Sequence, residues 1–244
     1  MRAIILAAGY ATRMYPLTRK RAKPLLDIGG RPMLSHLVDA LLDLEGLREI
    51  AVVSNQRFFG QFEEWASDYA GSVPVRLLND GSLDVDDRLG AIGDLAFALT
   101  EVGDDEELVV LAGDNLLLFG LSAYQEEFRR RRQTLLLVRE EEERRQGRYN
   151  EVEVDAEGKV LRFREKPLDP QTSTVAICLY FFPPGIGELL QRYLREGGNQ
   201  DAPGYFIEWL VQQTTVTAMA IEGPWFDIGS LESLEAARSA LRGR

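Results

Sequence analysis

Short aliphatic runs that alternate with amphipathic segments limit the possible folds of this chain more than any other feature. The runs are Arg2–Ala7, Glu49–Ser54, Val75–Asn79 and Leu108–Ala112. They are apolar at most positions and alternate poorly, which is typical of strands buried on both faces of a parallel sheet. The segments between them carry apolar residues at helical spacing, and we expect the first helix to include Pro32 in its opening turn. Repeated strand–helix alternation predicts a doubly wound α/β sheet with right-handed crossovers.

The rest of the chain adds further helices and, after about residue 133, a larger share of strands. We expect helices at Phe58–Tyr69, Leu89–Leu99, Leu121–Arg132, Ile186–Arg195 and Tyr205–Gln212, and a last helix capped by Ser230. We expect strands at Thr134–Val138, Glu151–Asp155, Val160–Arg164, Val175–Phe182 and Val216–Ile221. The charge run Arg139–Arg145 is interpreted as a solvated helix or loop. Since no linker or internal repeat divides the chain, we predict a single domain over residues 1–244 with a mixed, mostly parallel sheet.

Charge and cysteine content bear on partners and location. The net charge is −11, which argues against nucleic acid and anionic membranes as partners. No apolar stretch approaches the ~18 residues that a membrane-spanning helix needs. The single cysteine, Cys178, excludes an internal disulfide and fits a reducing cytoplasm.

An unusually basic loop follows the first predicted strand of this acidic chain. Five cations lie within eleven residues, namely Arg13, Arg19, Lys20, Arg21 and Lys23. In open α/β sheets ligands bind beyond the carboxyl ends of the strands, and the small residues before this loop let backbone N–H groups approach phosphate oxygens. Neither GxxxxGK[ST] nor GxGxxG occurs, so the two familiar phosphate loops are not indicated. The residue types alone leave two interpretations open, a phosphate site and an ordinary surface loop.

A longer motif separates these interpretations. The run LAAGYATRMYPLTRKRAKPLL resembles the signature of the sugar-1-phosphate nucleotidylyltransferases, approximately GxGTRxxPLTxxxPKPL after a first strand. Agreement covers Gly9, Thr12, Arg13, Pro16, Leu17, Thr18, Lys23, Pro24 and Leu25. Ala11 and Ala22 replace a glycine and a proline of the signature. Later segments match in family order, at Leu89–Gly90, Ala112–Asn115, Glu165–Pro167 and Trp225–Gly229. The chain is similar to the short bacterial glucose-1-phosphate thymidylyltransferases.

The resemblance implies a Rossmann-like nucleotidyltransferase fold with a smaller β-rich sugar-binding part. It also implies a reaction in which an NTP and a sugar 1-phosphate give an NDP-sugar and pyrophosphate with Mg²⁺. The residues that it implies for catalysis are Arg13, Lys23 and Lys166. Those implied for nucleotide binding are Leu6, Ala8, Gly9, Thr12, Asn79, Asp80 and Gly90. Those implied for the sugar phosphate are Asn150, Glu165, Lys166, Ile177 and Trp225.

Two aspartates are the expected metal ligands. Asp114 follows a buried apolar run, and Asp227 stands before a glycine turn far along the chain. Mg²⁺ prefers one or two carboxylates together with phosphate oxygens and water, so a pair of aspartates that met over an NTP would satisfy it. Without the resemblance, a turn residue and a helix-flanking acid would explain both positions. The one histidine, His36, lies in a predicted helix and is interpreted as structural.

The substrates are less constrained than the reaction. We take dTTP or UTP and glucose 1-phosphate as defaults, although Asn150, Ile177 and Cys178 replace the family's Gly, Thr and Gly at the sugar pocket. An alternative is a CTP-dependent cytidylyltransferase for phosphocholine-like acceptors. In that interpretation the carboxylates of Asp84, Asp86 and Asp87 would face the cationic group of the acceptor. A further alternative is a non-catalytic nucleotide-sensing subunit. The sequence leaves a homo-oligomer open.

Overall fold

The structure is a computed structural model and describes residues 1–141 and 146–242. Its strands, in chain order, are β1 Arg2–Leu6, β2 Asp27–Ile28, β3 Arg31–Pro32, β4 Glu49–Ser54, β5 Val75–Asn79, β6 Leu108–Ala112, β7 Asn115–Leu117, β8 Thr134–Glu140, β9 Glu151–Val154, β10 Val160–Arg164, β11 Thr174–Phe182, β12 Val216–Ala220 and β13 Trp225–Asp227. Its α-helices are α1 Met33–Leu41, α2 Phe59–Ser67, α3 Gly90–Val102, α4 Ser122–Arg131, α5 Ile186–Arg195, α6 Pro203–Gln213 and α7 Leu231–Arg242. None of the helices within these residues is long and apolar enough to cross a membrane.

The central sheet has the strand order β12-β8-β11-β6-β1-β4-β5. Strand β1 pairs in parallel with β4, and β4 pairs in parallel with β5. Strand β12 is parallel to β8, whereas β11 is antiparallel to β8. The strand order runs outward from β1 in two directions, so the predicted doubly wound, mixed and mostly parallel α/β fold is confirmed.

Most expected helices and strands occur within a few residues of their predicted bounds, and the exceptions have physical reasons. Pro32 lies in β3 and precedes α1 as its N-cap, so the prediction that it opens the helix was wrong by one position. Strands β2, β3, β7 and β13 have only two or three residues each, too few to show a periodicity. Ser230 caps α7 as expected, because its Oγ accepts the Ser233 N–H at 3.1 Å.

The charged run at Arg139–Arg145 was only partly interpretable from its composition. Arg139 and Glu140 belong to β8, so the prediction of a helix or loop was wrong for them. Glu140 is held there by hydrogen bonds from Ser173 Oγ and Thr174 Oγ1, the latter 2.5 Å long. Glu142–Arg145 lie outside the described residues.

The chain forms two compact units by its internal contacts. The first unit comprises Met1–Leu89, Leu111–Ser122 and Gly223–Arg244. The second comprises Gly90–Val110 and Ala123–Glu222. The expectation of one domain over residues 1–244 stays a prediction.

The first unit has a buried apolar cluster that fixes the basic loop. Its members are Met14, Leu26, Ile28, Met33, Leu116, Ile228, Leu234 and Ala237. Met14 and Leu26 belong to the loop region, whereas Leu116 lies in β7 and Ile228 follows β13. Burying these side chains together attaches the loop to the two short strands, at about 1.5–3 kcal/mol for each large apolar side chain.

The second unit contains a buried carboxylate that organises the hairpin of β9 and β10. Glu151 accepts hydrogen bonds from Arg164 Nε at 3.1 Å and from Arg164 Nη2 at 3.0 and 3.1 Å. It also accepts the backbone N–H groups of Gln171 and Thr172. Burial by itself would raise the pKa of Glu151, but these N–H and guanidinium donors outweigh burial and lower the pKa. The carboxylate therefore joins β9, β10 and the segment that follows β10.

Replacing Glu151 by Gln should destabilise the protein by about 3 kcal/mol at neutral pH, because Arg164 loses its charged partner and backbone donors lose an acceptor. A lowered pKa contributes stability above the unfolded-state value, and that contribution is lost as the pH falls. The gap between wild type and E151Q in urea unfolding should therefore narrow between pH 7 and pH 4. Glu153→Gln is the matched control, because Glu153 lies on the same strand, is 43% exposed and has an ion pair with Arg162. Equal losses for both variants would contradict this account.

Candidate active site

The ends of β1, β4 and β6 meet at the start of the basic loop. Leu6 O accepts the Gly113 N–H at 2.8 Å, and Ala8 O accepts a hydrogen bond from Asn55 Nδ2 at 2.7 Å. Leu6 and Ala8 are both buried, and their carbonyl oxygens are engaged within the protein. The predicted nucleotide contacts of these two residues stay predictions.

Two glycines near these strand ends have different physical reasons to be glycine. A Cβ on Gly113 would lie 3.1 Å from Leu6 O and from Ala7 Cβ, so packing favours the absence of a side chain at Gly113. A Cβ on Gly9 would meet no described atom within 4 Å, and the φ of Gly9 lies outside the left-handed region. Because neither packing nor backbone conformation in the described chain requires Gly9, a requirement for its small size would come from a ligand.

Ala11 keeps the backbone conformation of the glycine that it replaces in the signature. Its φ and ψ are 47° and 44°, in the left-handed region that glycine adopts without strain. Its carbonyl accepts the Met14 N–H at 3.0 Å and the Thr18 hydroxyl at 2.7 Å. The loop thus has the turn that the signature encodes, with one added methyl group.

The predicted site residues Thr12, Arg13 and Lys23 of the first unit differ in their surroundings. Thr12 and Arg13 are exposed, and within the described part of the chain Arg13 has no ion pair. Lys23 Nζ lies 2.6 Å from Asp114 Oδ2, and both side chains are partly buried, with 15% of Lys23 and 31% of Asp114 exposed. Partial shielding from water strengthens this attraction, so the pair holds the loop close to the end of β6.

The structure brings the two predicted metal ligands to neighbouring positions. Strand β13 pairs with β7 so that Asp227 lies opposite Asn115, the residue after Asp114. The Ile228 N–H donates to Asp114 O at 3.0 Å. Trp225 is buried and donates its indole N–H to Asn115 Oδ1 at 2.9 Å, which anchors β13 on β7. Its predicted contact with a sugar phosphate stays a prediction.

An amide pair lies at the ends of β4 and β5, where a base-binding residue was expected. Asn79 Nδ2 donates to Gln56 Oε1 at 2.7 Å. Asp80 instead accepts hydrogen bonds from the Ser82 backbone and hydroxyl, at 2.7 and 2.8 Å. Gln56 was missed from the sequence. The position of Gln56 beside Asn79 follows from the parallel pairing of Ser54 with Asn79, because that register places the residues just after β4 next to the end of β5.

The aspartates that follow this amide pair along the chain accept hydrogen bonds from the backbone of their own loop. Asp87 accepts the backbone N–H groups of Leu83 and Asp84, each at 3.0 Å, and these N–H groups lower the pKa of Asp87. Asp84 in turn accepts the Asp86 N–H at 2.8 Å. Because Asp84 and Asp87 are engaged in these turns, they give no specific support to a cationic acceptor.

Gly90, predicted to bind nucleotide, has a packing reason to be glycine. Its φ is 78°, and a Cβ would lie 2.4 Å from the backbone oxygen of Gln200. The same oxygen accepts the Ile92 N–H at 3.0 Å. The start of α3 is therefore packed tightly on this segment, and a nucleotide contact by Gly90 stays a prediction.

In the second unit the predicted acceptor residues Glu165 and Lys166 follow β10. The Glu165 side chain is only 6% exposed and the Lys166 side chain 46%, with Lys166 Nζ 3.5 Å from Glu165 Oε1. Burial raises the pKa of Glu165, Lys166 opposes that change, and Glu208 adds to it. Lys166 has a φ of 48°, a costly conformation for a residue with a side chain and one that concentrates at functional sites.

Strand β11 bulges beside these residues. The register with β8 shifts between Ala176 and Tyr180, and Cys178 within the bulge has a φ of 54°. Cys178 thus keeps the conformation expected of the glycine that it replaces. Ile177 is 1% exposed and belongs to the core, so its predicted contact with a sugar phosphate stays a prediction.

Asn150 has both ends of its side-chain amide engaged. Its Nδ2 donates to Ala176 O at 3.0 Å, and its Oδ1 accepts the Ala176 N–H at 2.6 Å. The amide therefore acts as an additional strand residue beside β11, and sugar binding by Asn150 stays a prediction.

The predicted residues thus fall into two sets. The first unit contains Gly9 and brings together Lys23, Asp114 and Asp227, and the second brings together Glu165 and Lys166. The roles of these residues, and the expected convergence of Lys166 with the first set, stay predictions.

A comparison with protein families connects these sets to a known group of enzymes. The family model described as Nucleotidyl transferase matches residues 2–243. The chain belongs to this family. The match extends from the start of β1 beyond the end of α7, so it includes both sets of candidate residues.

Curated relatives and solved structures agree with this membership. The chain is 27% identical to a glucose-1-phosphate thymidylyltransferase of Streptomyces antibioticus, a match that covers 99% of this chain and 66% of that protein. It is 28% identical to the UTP–glucose-1-phosphate uridylyltransferase AglF of Haloferax volcanii, over 99% of this chain and 97% of the relative. The chain therefore spans about two thirds of the first relative and nearly all of the second. A UDP-glucose pyrophosphorylase complexed with UDP-glucose superposes with a TM-score of 0.84 at 18% identity, covering 100% of this chain and 99% of that one. At that identity the likeness establishes the fold.

Gly9→Ala should leave thermal stability unchanged or slightly higher, because its methyl group meets nothing in the described protein. The same change should weaken binding of dTTP or UTP about tenfold, the loss of about 1.4 kcal/mol expected when a phosphate can no longer approach backbone N–H groups. Gly113→Ala is the contrasting variant and should destabilise the fold by about 1–3 kcal/mol. Calorimetric titration and thermal unfolding measure both effects. Wild-type nucleotide affinity in G9A would refute the phosphate-loop assignment.

Proposed function

We propose that this chain transfers a nucleotidyl group from an NTP to a sugar 1-phosphate and releases pyrophosphate. One observation carries the proposal. The Lys23–Asp114 ion pair of 2.6 Å lies at the end of β6, with Asp227 at the neighbouring position across β7 and β13. Family membership supports the reaction class. The thymidylyl- and uridylyltransferase relatives support dTTP or UTP and glucose 1-phosphate as the first substrates to test.

The chemistry needs charge neutralisation more than proton transfer. The acceptor phosphate is already anionic at neutral pH, so its oxygen can attack the α-phosphorus without a general base. The new P–O bond forms as the bond to the bridging oxygen breaks, and the electron pair leaves with pyrophosphate. The difficulty is to bring two anions together, which positioned cations relieve. His36 has a structural contact, since its Nε2 lies 2.9 Å from Ile28 O.

Each candidate cation has a distinct role in this proposal. Arg13, exposed on the loop after β1, would contact the triphosphate and the departing pyrophosphate. Lys23, held beside Asp114, would act near the α-phosphate. Lys166 would bind the acceptor phosphate, and Glu165 would accept hydrogen bonds from the sugar hydroxyls.

The two aspartates fit a divalent cation such as Mg²⁺. Within residues 1–141 and 146–242, no group of three or more His, Cys, Asp or Glu side chains is arranged around a common metal position. Asp114 and Asp227 would therefore supply one or two ligands, with substrate phosphate oxygens and water as the others, which is the set that Mg²⁺ prefers. Bound there, the ion would neutralise charge on the triphosphate.

The proposal predicts a defined pattern in a pyrophosphate-release screen of several NTPs against sugar 1-phosphates and phosphocholine. Release should need a divalent cation and a sugar 1-phosphate. Asp227→Asn and Lys166→Ala should each lower turnover roughly 10²–10³-fold while thermal unfolding stays near wild type. Asp39→Asn and Lys159→Ala serve as matched controls in the same two units.

Two results would contradict the proposal. Activity with CTP and phosphocholine alone would favour the cytidylyltransferase, and silence across the whole panel would favour the sensing subunit. The cytoplasmic location and the homo-oligomer that the sequence leaves open stay predictions.

A further inference from the structure

Helix α6 packs against β10, immediately before Glu165. Two of its residues, Gly204 and Glu208, are four positions apart and therefore lie on the same face of the helix. Both contact Glu165, in different ways. Neither residue lies in the segments that match the family signature.

Gly204 provides the space that the Glu165 carboxylate occupies. A Cβ on Gly204 would lie 1.8 Å from Glu165 Oε2 and 2.7 Å from Glu165 Cδ, distances that no real contact allows. The φ of Gly204 is not left-handed, so its conformation does not require glycine. Glycine in a helix costs about 1 kcal/mol relative to alanine, and here that cost makes room for a single carboxylate.

Glu208 fixes the backbone of the same residue. Its Oε2 accepts the Glu165 N–H at 3.1 Å, just where the chain leaves β10. The next residue, Lys166, has the left-handed φ of 48°. A charged acceptor on the Glu165 N–H holds the Arg164–Glu165 peptide, and so fixes the backbone one residue before Lys166.

The charged and titratable groups around Glu165 come from three elements. Lys166 lies on the same segment, Glu208 on α6 and Tyr180 on β11, and Tyr180 shares a hydrogen bond with Cys178. Lys166 is the one cation among them. The carboxylate is thus confined on one side by the face of α6 that carries Gly204 and Glu208.

We propose that Gly204 and Glu208 are positioning residues of the acceptor site, one shaping the space for the Glu165 carboxylate and the other orienting the Glu165–Lys166 backbone. Neither touches the substrate. The proposal rests on the proposed function, because it takes Glu165 and Lys166 as the residues that bind the sugar phosphate.

Steady-state kinetics should separate positioning from a general role in the fold. Gly204→Ala and Glu208→Ala should raise KM for the sugar 1-phosphate at least about tenfold, since a misplacement of ~1 Å in a positioned group can cost ~10²-fold. KM for the NTP should stay within about twofold of wild type. Gly60→Ala on α2 is a matched control for the glycine variant, because a Cβ on Gly60 would meet no described atom within 4 Å. Glu188→Gln on α5 is the matched control for the glutamate variant. Equal changes in both KM values would overturn the proposal.

The conservative variant Glu208→Gln should change the pH dependence of kcat/KM, which a purely structural role of Glu208 would leave unchanged. It keeps an oxygen for the Glu165 N–H, so acceptor KM should return close to wild type. It also removes a negative charge that raises the pKa of Glu165. The acid limb of kcat/KM should therefore move to lower pH, and this movement should disappear in a Glu165→Gln background. An acid limb that stays in place or moves to higher pH would count against the assignment.

A double-mutant cycle tests the steric contact itself. In a Glu165→Ala background the carboxylate clash is removed and Phe163 Cε1, 3.1 Å from a Cβ on Gly204, is the close neighbour that remains, so adding Gly204→Ala should change acceptor KM by less than about twofold. An undiminished tenfold effect in that background would overturn the role of Gly204. The Gly204→Ala protein itself could fail to fold. In that case, normal folding of the Glu165→Ala/Gly204→Ala double variant would support the steric clash, and failure of the double variant to fold would contradict it.

Lys166→Ala, measured in parallel, separates this inference from the proposed function. If Lys166→Ala leaves acceptor KM unchanged, the acceptor site itself is misassigned. If it raises acceptor KM while the Gly204 and Glu208 variants do not, only the positioning role fails.

Discussion

The close approach of β6 to the end of β1 is the constraint on which the first unit depends. It includes the 2.8 Å hydrogen bond from Gly113 N–H to Leu6 O, and a side chain at Gly113 would crowd it. Gly9 lies three residues beyond one partner of that bond, and Asp114 directly follows the other. The backbone bond from Ile228 to Asp114 then extends the assembly to Asp227. Peptide groups thus bring residues from three distant parts of the sequence together before any side-chain charge is considered.

Charge balance is the second theme of the candidate residues. Lys23 is paired with Asp114 in the first unit, and Lys166 with Glu165 in the second. Burying a lone charge is expensive, so a partly buried lysine is more stable beside a carboxylate. Arg13 is exposed and solvated, and does not need such a partner. The net charge of −11 therefore coexists with local sites suited to anions.

The strands and the loop chemistry could be predicted because they are local in sequence. The aliphatic runs gave β1, β4, β5 and β6 nearly to the residue, and the signature indicated Lys23 and Asp114 as parts of one site. Gly204 and Glu208 could not be found in this way, since their importance comes from how α6 packs on β10. A glycine after a proline at a helix start is ordinary in composition, and only the 1.8 Å clash reveals its reason. Gln56 was similarly hidden until the parallel register of β4 and β5 was known.

Ala11 has a thermodynamic consequence beyond its place in the signature. A residue with a Cβ has fewer backbone conformations when unfolded than glycine, and in the folded loop it is held by two hydrogen bonds to its carbonyl. The loop is thus already ordered in the protein alone, so a ligand that bound it would lose less conformational entropy. In exchange the folded state carries the strain of a left-handed alanine, of the order of 1–2 kcal/mol. This chain therefore trades a little global stability for an ordered loop, where a glycine would make the opposite trade.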